Sequence, residues 1–82
     1  MYYFYVLQSQ TNNKLYKGST EDLRKRLEEH NKGKVASTKN GRPWNLIYYE
    51  GHRNKILARK TELFYKTGQG RRHLKEKLGL EN

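Results

Sequence analysis

The sequence predicts an α+β domain, in which helices flank a three-stranded antiparallel sheet in the order β-β-α-β-α-α. The chain opens on an aromatic and β-branched run at residues 2–8, which is typical of a strand. A similar run at residues 44–50 predicts the third strand. The remaining long segments are charged and carry leucines at helical spacing. Strand-like runs that alternate with charged, helical segments favour a domain in which the helices pack on an antiparallel sheet.

The first two strands are predicted to form a hairpin. Residues 11–14 contain two asparagines, which favour a turn, and residues 15–18 read as the returning strand. Tyr3 and Tyr5 are two residues apart, so their side chains should share one face of the first strand.

The first helix is predicted to begin at residues 19–22, where a hydroxyl can cap free amides and two acids occupy the positive first turn. We expect it to run to about Lys32 and to end at Gly33. Leu23 and Leu27 would form its apolar stripe, and Arg26 and His30, one turn apart, would lie along one edge of that stripe.

The second half of the chain continues with a basic loop at residues 33–43 and the strand at 44–50. A second helix is predicted at 54–67, and a short last helix at 71–78 follows a break at 68–70. The predicted apolar face of the second helix is formed by Ile56, Leu63 and Phe64, with Leu57 at its margin.

Composition indicates a polyanionic partner. The 82 residues include 18 Lys and Arg against 8 Asp and Glu, which gives a formal net charge of +10. So strong a charge on a small domain favours attraction to nucleic acid that weakens with salt, although a merely soluble basic protein is the alternative.

The chain has no cysteine, which excludes disulfides, cysteine-ligated zinc and a thiol nucleophile. No apolar run approaches the length of a membrane span, and the start lacks the pattern of a signal peptide. We therefore expect a soluble, cytoplasmic protein without a membrane partner.

Two tripeptides in the hairpin and a pattern in the first helix point to a family. Tyr3-Phe4-Tyr5 and Tyr16-Lys17-Gly18 precede a helix that carries Arg26-Leu27 and His30-Asn31. This set resembles the GIY-YIG endonuclease domain, in particular its small stand-alone bacterial members. The resemblance covers nearly the whole chain and implies one domain over residues 1–82. Tyr3 replaces the first glycine of the family's pattern and Lys17 its central isoleucine, and neither change removes a group that does chemistry.

The resemblance implies catalytic roles for five residues. Tyr5 or Tyr16 would orient or deprotonate a water molecule, which requires a phenol pKa lowered by neighbouring cations or a metal ion. Arg26 would hold the scissile phosphate, and His30 would bind that phosphate or assist proton transfer. Glu62 would be the sole protein ligand of one Mg²⁺ or Mn²⁺ ion.

Each of these residues also has a structural reading. The tyrosines could be strand packing, Arg26 a solvated helix residue, and His30 a charge at the helix C-terminal end. Glu62 could form only surface ion pairs, because Arg59 precedes it by three residues and Lys66 follows it by four.

A second group of residues is expected to contact nucleic acid, although such residues are often only solvated. It consists of Tyr3, Lys17, Asn31, Lys34, Lys39, Arg42 and Lys66. Cations within residues 71–77 could add a second basic edge.

These observations lead to one functional hypothesis and one alternative. The hypothesis is a metal-dependent endonuclease that hydrolyses phosphodiester bonds of duplex or branched DNA, in repair or recombination. The alternative is a non-catalytic nucleic-acid-binding module of the same fold.

Overall fold

The computed structural model of the chain describes residues 1–80. Its elements are β1 (Tyr2–Ser9), β2 (Leu15–Thr20), α1 (Leu23–Asn31), a 3-10 helix (Ala36–Gly41), β3 (Trp44–His52), α2 (Lys55–Tyr65) and α3 (Gly68–Leu78). The predicted α+β class and the order β-β-α-β-α-α are confirmed. No helix within residues 1–80 has the length and apolar character that crossing a membrane requires.

The sheet has the strand order β2-β1-β3, and both pairings are antiparallel. The central strand β1 places Tyr5 opposite Gly18 of β2 and opposite Tyr49 of β3. Since β2 is an edge strand, groups on either side of the sheet can approach its outer margin.

The two faces of the sheet support separate apolar clusters. Because side chains alternate along a strand, neighbouring residues of β1 are divided between the two faces. The face towards α1 holds Tyr5, Leu7 and Trp44, with Leu23 and Leu27 packed against them. The face towards α2 and α3 holds a second buried cluster, formed by Phe4, Val6, Tyr65 and Leu74.

Helix α1 begins later than predicted. Ser19 and Thr20 belong to β2, and the N-cap is Asp22, whose side chain accepts a hydrogen bond from the backbone amide of Lys25 at 3.0 Å. The prediction was wrong because three of the four residues 19–22 can cap a helix, and Ser19 and Thr20 are instead paired with β1. The predicted end is confirmed, since Gly33 has φ of +77°.

Helix α3 begins earlier than predicted. Residues 68–70, expected to be a break, form its first turn. The Thr67 side chain caps this turn by accepting the Gly70 amide at 3.0 Å. A good cap can therefore start a helix through two glycines despite their poor helix propensity.

Helix α2 turns a different face to the sheet from the one predicted. Ala58, Glu62 and Tyr65 are buried, whereas Ile56 and Leu63 are 68% and 49% exposed. The Tyr65 ring stacks on a phenylalanine of β1 at 5.0 Å, and the small Ala58 lets the helix approach closely. Packing of one large ring and one small side chain therefore decides the orientation, rather than the number of apolar residues.

Candidate active site

A buried hydrogen-bonded chain links β1, α1 and the 3-10 helix. The Tyr5 hydroxyl lies 2.9 Å from Nε2 of His30, and Nδ1 of His30 lies 2.7 Å from the Thr38 hydroxyl. Tyr5, His30 and Thr38 are at most 2% exposed. Both ring nitrogens of His30 therefore have hydrogen-bond partners within the protein. This imidazole can exchange a proton with a bound molecule only through the Tyr5 hydroxyl.

The hydrogen-bond directions follow from the Thr38 hydroxyl. It donates to the backbone carbonyl of Val35 at 3.3 Å, and so it accepts from Nδ1–H of His30. The neutral imidazole then has a bare Nε2, which accepts the hydroxyl proton of Tyr5. The Tyr5 oxygen in turn accepts a hydrogen bond from the Arg26 guanidinium, which leaves one lone pair for a further donor.

Burial keeps this chain neutral. It lowers the pKa of His30 to about 4, with a further lowering from Arg26. Burial also raises the pKa of Tyr5 to about 12, against the interaction with Arg26, which lowers it. The lowered phenol pKa that a tyrosine base requires is therefore not produced by the protein alone, and the alternative reading of His30 as a charge at the helix end is wrong.

Gly18 leaves the space that the Tyr5 side chain fills. A Cβ at Gly18 would lie 2.6 Å from the Tyr5 hydroxyl oxygen and 2.7 Å from the ring carbon that bears it. The glycine is therefore required by close approach of a rigid ring. The Tyr5 hydroxyl thus passes beneath β2 towards the outer margin of the sheet.

Tyr16 lies beside this chain without joining it. Its ring makes edge contacts with His30, at a centroid distance of 4.9 Å, and with Trp44, at 6.4 Å. Within the described part of the chain its hydroxyl makes no hydrogen bond to protein. The two candidate tyrosines are therefore different: Tyr5 has a proton acceptor and Tyr16 does not.

Arg26 stands at the groove along the first turns of α1. Its guanidinium pairs with Glu29 at 3.0 Å, and the groove beside it is also lined by Ser19 and Lys25. Interaction with the Tyr5 hydroxyl raises the pKa of Arg26. The guanidinium therefore bridges between the buried chain and solvent.

Glu62 reaches the β2 margin from the opposite face of the sheet. One carboxylate oxygen accepts from the Ser19 hydroxyl at 2.8 Å, and the other contacts Lys66 at 2.7 Å and Arg59 at 2.9 Å. Burial opposes ionisation, but hydrogen bonds from Lys66 and Ser19 outweigh it and leave the Glu62 pKa below its ordinary value. The carboxylate also acts electrostatically on Tyr5. The expected ion pairs with Arg59 and Lys66 are present, but the carboxylate that makes them is buried rather than at the surface.

This geometry agrees with the comparison to known domains. The model of the GIY-YIG catalytic domain matches residues 1–75. The chain belongs to the GIY-YIG family. Similar proteins include the UPF0213 proteins of Pediococcus pentosaceus, 46% identical over 79% of this chain and 68% of the relative, and of Bacillus pumilus, 45% identical over 80% and 67%. The UPF0213 protein of Lactiplantibacillus plantarum is 43% identical over 79% of this chain and 66% of the relative.

The fit of a divalent cation to this GIY-YIG site depends on one carboxylate. Residues 1–80 contain no group of three or more acidic or histidine side chains that could hold a metal ion. A carboxylate offers about four lone-pair positions, and Ser19, Lys66 and Arg59 use three at Glu62. One position remains, which fits a Mg²⁺ ion whose other ligands are waters and substrate oxygens.

The nucleic-acid candidates on the α1 side of the GIY-YIG domain are divided by their contacts. The Asn31 side chain accepts the backbone amide of Trp44 at 2.7 Å and donates to its carbonyl at 3.1 Å, which is a structural role. Lys34 and Lys39 are exposed at the 3-10 helix, and Arg42 donates to the Lys39 carbonyl at 2.8 Å.

The remaining nucleic-acid candidates, on the sheet and at the end of α2, also differ in the contacts that they make. Tyr3 makes an edge contact with the ring of Tyr49 at 5.9 Å, and Tyr49 is 55% exposed. Lys17 faces α3, and Lys66 is bound to Glu62.

Sequence reasoning missed two residues of the candidate site. Thr38 fixes the imidazole, but it lies in a segment expected to be a flexible loop, where nothing signals a partner eight residues back. Ser19 was interpreted as a helix cap. Its position two residues after Lys17, on the same face of the strand, was the signal that could have placed it towards α2.

Proposed function

We propose that this protein is an endonuclease that hydrolyses DNA phosphodiester bonds at the β2 margin with the help of one divalent cation. The observation that carries the proposal is the Tyr5 hydroxyl, which is hydrogen-bonded to a neutral His30 at 2.9 Å and interacts with Arg26, a residue that lines the groove. That arrangement suits a proton relay better than a structural tyrosine, which needs no buried imidazole beside it.

Tyr5 is the proposed general base, with His30 behind it. With a pKa of about 12, roughly one Tyr5 in 10⁵ is ionised at neutral pH, so a preformed phenolate contributes little. The oxygen instead accepts a proton from the attacking water while its own proton passes to Nε2 of His30. The bond from Nδ1–H of His30 to Thr38 holds the tautomer in which Nε2 can accept.

Arg26 is the proposed phosphate ligand. A guanidinium binds two phosphate oxygens at once and remains charged at any relevant pH. Its present partner Glu29 is only a surface ion pair, which is weak and easily exchanged. The free hydroxyl of Tyr16 would orient the water or a phosphate oxygen beside it.

Glu62 is the proposed ligand of one Mg²⁺ or Mn²⁺ ion, since nucleases with this domain are generally metal-dependent. When bound, the ion would stabilise negative charge on the phosphate and on the leaving oxygen. The lowered pKa keeps the carboxylate ionised for this purpose. Lys66 and Arg59 hold it in place at the margin of β2.

The substrate of the proposal is duplex or branched DNA in the cytoplasm, in repair or recombination. The net charge of +10 supports a polyanionic substrate. The cations in and around the 3-10 helix, Lys34, Lys39 and Arg42, are exposed and would contact the backbone rather than base edges.

A nicking assay tests the proposal. Purified protein is incubated with supercoiled plasmid and Mg²⁺ or Mn²⁺, and Arg26→Ala is compared with Arg24→Ala, which removes the same charge from an exposed position of α1. We expect nicking by the wild type and by Arg24→Ala, and a loss of about 10²-fold or more in Arg26→Ala. Absence of cleavage on duplex, branched and single-stranded DNA would refute the proposal, as would equal rates in both variants.

The non-catalytic alternative is favoured by one observation, the two cations already bound to Glu62. If Lys66 and Arg59 exclude the metal ion, the domain binds DNA with no effect of Mg²⁺ and without cleavage. Glu62→Gln separates the two cases. If the protein is a nuclease, this variant should lose metal-dependent cleavage. If it is a binding module, the variant should bind DNA as the wild type does, with and without metal.

A further inference from the structure

A second cationic site lies on the other face of β2, away from the Tyr5–His30 chain. Lys17 of β2, Arg71 and Lys75 of α3, together with Lys14 and Leu74, line an open groove of about 400 Å³. We call it the α3 groove. None of its lining residues is acidic.

The central cations of the α3 groove lack compensation. In the described residues neither the Lys17 ammonium nor the Arg71 guanidinium makes an ion pair or a side-chain hydrogen bond. Burial lowers the pKa of Lys17, and so do the charges of Arg71, Lys66 and Lys75. The Lys17 ammonium thus lies partly buried among like charges, which costs free energy in the empty protein.

The start of α3 adds to this positive field. Arg71 lies at the end of the first turn, near the positive end of the helix dipole, and no acid occupies that turn. Placing an arginine there is unfavourable for the isolated helix. A bound anion would reverse both penalties at once.

The α3 groove is close to the proposed catalytic groove. Lys17 and Ser19 are two residues apart on the same face of β2, about 7 Å along the strand. Ser19 binds Glu62, and Lys66 contacts Glu62 while acting electrostatically on Lys17. A single nucleic-acid strand can therefore reach both grooves, whereas a small free anion would gain nothing from their proximity.

We propose that the α3 groove binds a backbone phosphate of the DNA strand that flanks the scissile phosphate, with Lys17 and Arg71 as its main ligands. This inference rests on the proposed function for its substrate class. It adds a direction: the strand crosses the β2 margin from the Arg26 side to the α3 side.

Binding in the absence of divalent metal tests the α3 groove separately from catalysis. The affinity for a labelled short duplex is measured by fluorescence anisotropy over a range of salt concentrations. The variants are Lys17→Met, which keeps the length of the side chain, and Arg71→Gln. The matched control is Arg72→Gln, an exposed neighbour outside the lining of the groove that loses the same charge.

We expect each groove variant to reduce the slope of log affinity against log salt by about 0.9, the value for one phosphate contact on duplex DNA. Arg72→Gln should change the slope much less. Equal losses in all three variants would mean a diffuse field without a site and would overturn the proposal. So would wild-type affinity and slope in Lys17→Met and Arg71→Gln.

Thermal unfolding distinguishes binding from a structural role. Because repulsion is removed, Lys17→Met and Arg71→Gln should keep or raise the Tm of the free protein, and they should lower the increase in Tm that DNA produces. A lowered Tm of the free variants with an unchanged DNA effect would overturn the proposal. Stabilisation by inorganic phosphate that depends on Lys17, with unchanged DNA affinity, would indicate a small-anion site and would also overturn it.

Failure of this proposal and failure of the nuclease proposal give different results. If the wild type nicks plasmid and the groove variants bind DNA normally, only the α3 groove is refuted. If the wild type never cleaves but the groove variants lose affinity, the α3 groove stands and the nuclease is refuted.

Discussion

His30 is the residue on which the account of the site depends most. It is fully buried, and its two ring nitrogens join Tyr5 to Thr38. A buried neutral imidazole must take up a proton when the chain unfolds in mild acid. The same burial that positions it for proton transfer therefore makes the stability of the protein depend on pH.

The sign of this dependence follows from the lowered pKa. The folded value of about 4 is below the ordinary value of 6.5, so the unfolded chain binds more protons between these limits. The contribution of His30 is complete above pH 6.5 and is lost as the pH falls towards 4, by about 3 kcal/mol. Urea unfolding of the wild type and His30→Gln from pH 7 to 4 measures it. Parallel curves would contradict a neutral buried His30.

Gly18→Ala tests the close approach of Tyr5. The added methyl group would collide with the ring and hydroxyl, at a cost in stability of about 1–3 kcal/mol. We also expect cleavage to fall by about 10²-fold, because the hydroxyl moves away from His30. Gly68→Ala is the control, since a Cβ there meets nothing within 4 Å. Wild-type stability and cleavage in Gly18→Ala would show that the space is not needed.

At this scale the sequence predicts which groups are present but not how they are joined. The positions of Arg26 and His30 on one helix edge follow from helical spacing. Helical spacing does not predict the partner of His30, because Thr38 lies in a 3-10 helix that has no periodic signal in the sequence. The raised pKa of Tyr5 was equally hidden, because it arises from burial that only the folded chain creates.

At the scale of elements, α2 gives the clearest lesson. Its apolar residues predicted a core face, yet Ile56 and Leu63 remain exposed, while Glu62 is 4% exposed. Periodicity could not predict the buried face because it depends on partners in the sheet. The Tyr65 ring stacks on a phenylalanine of β1, and the Ser19 hydroxyl of β2 donates a hydrogen bond to the Glu62 carboxylate. Packing and the hydrogen bonds and ion pairs of one buried carboxylate decide the orientation of this helix.

Two alanine substitutions test the observed packing of α2 and α3. Leu74→Ala should destabilise the protein by about 2–5 kcal/mol, because Leu74 is fully buried in the cluster beneath both helices. Ile56→Ala should cost less than about 0.5 kcal/mol, because the side chain is largely in solvent. Denaturant unfolding measures both. A larger loss for Ile56→Ala would mean that the predicted apolar face is the packed one after all.

At the scale of the whole molecule, the fold follows from simple patterns. Aromatic strands, an asparagine turn and charged helices predict three antiparallel strands with flanking helices. The site is less predictable because its groups lie on opposite faces of the sheet, with Tyr5 and Arg26 on one and Glu62 on the other. Ser19 of the edge strand β2 lies between them, since it binds Glu62 and lines the groove beside Arg26, which local patterns do not reveal.

The most direct measurement is single-turnover cleavage of DNA at saturating metal by the wild type, Tyr5→Phe and Tyr16→Phe. Loss of the Tyr5 hydroxyl removes the proposed base, so its rate constant should fall by about 10²–10⁴-fold. Tyr16→Phe should lose less, because its hydroxyl has no proton acceptor in the described protein. A wild-type rate constant in folded Tyr5→Phe would contradict the central claim that Tyr5 and His30 activate the water.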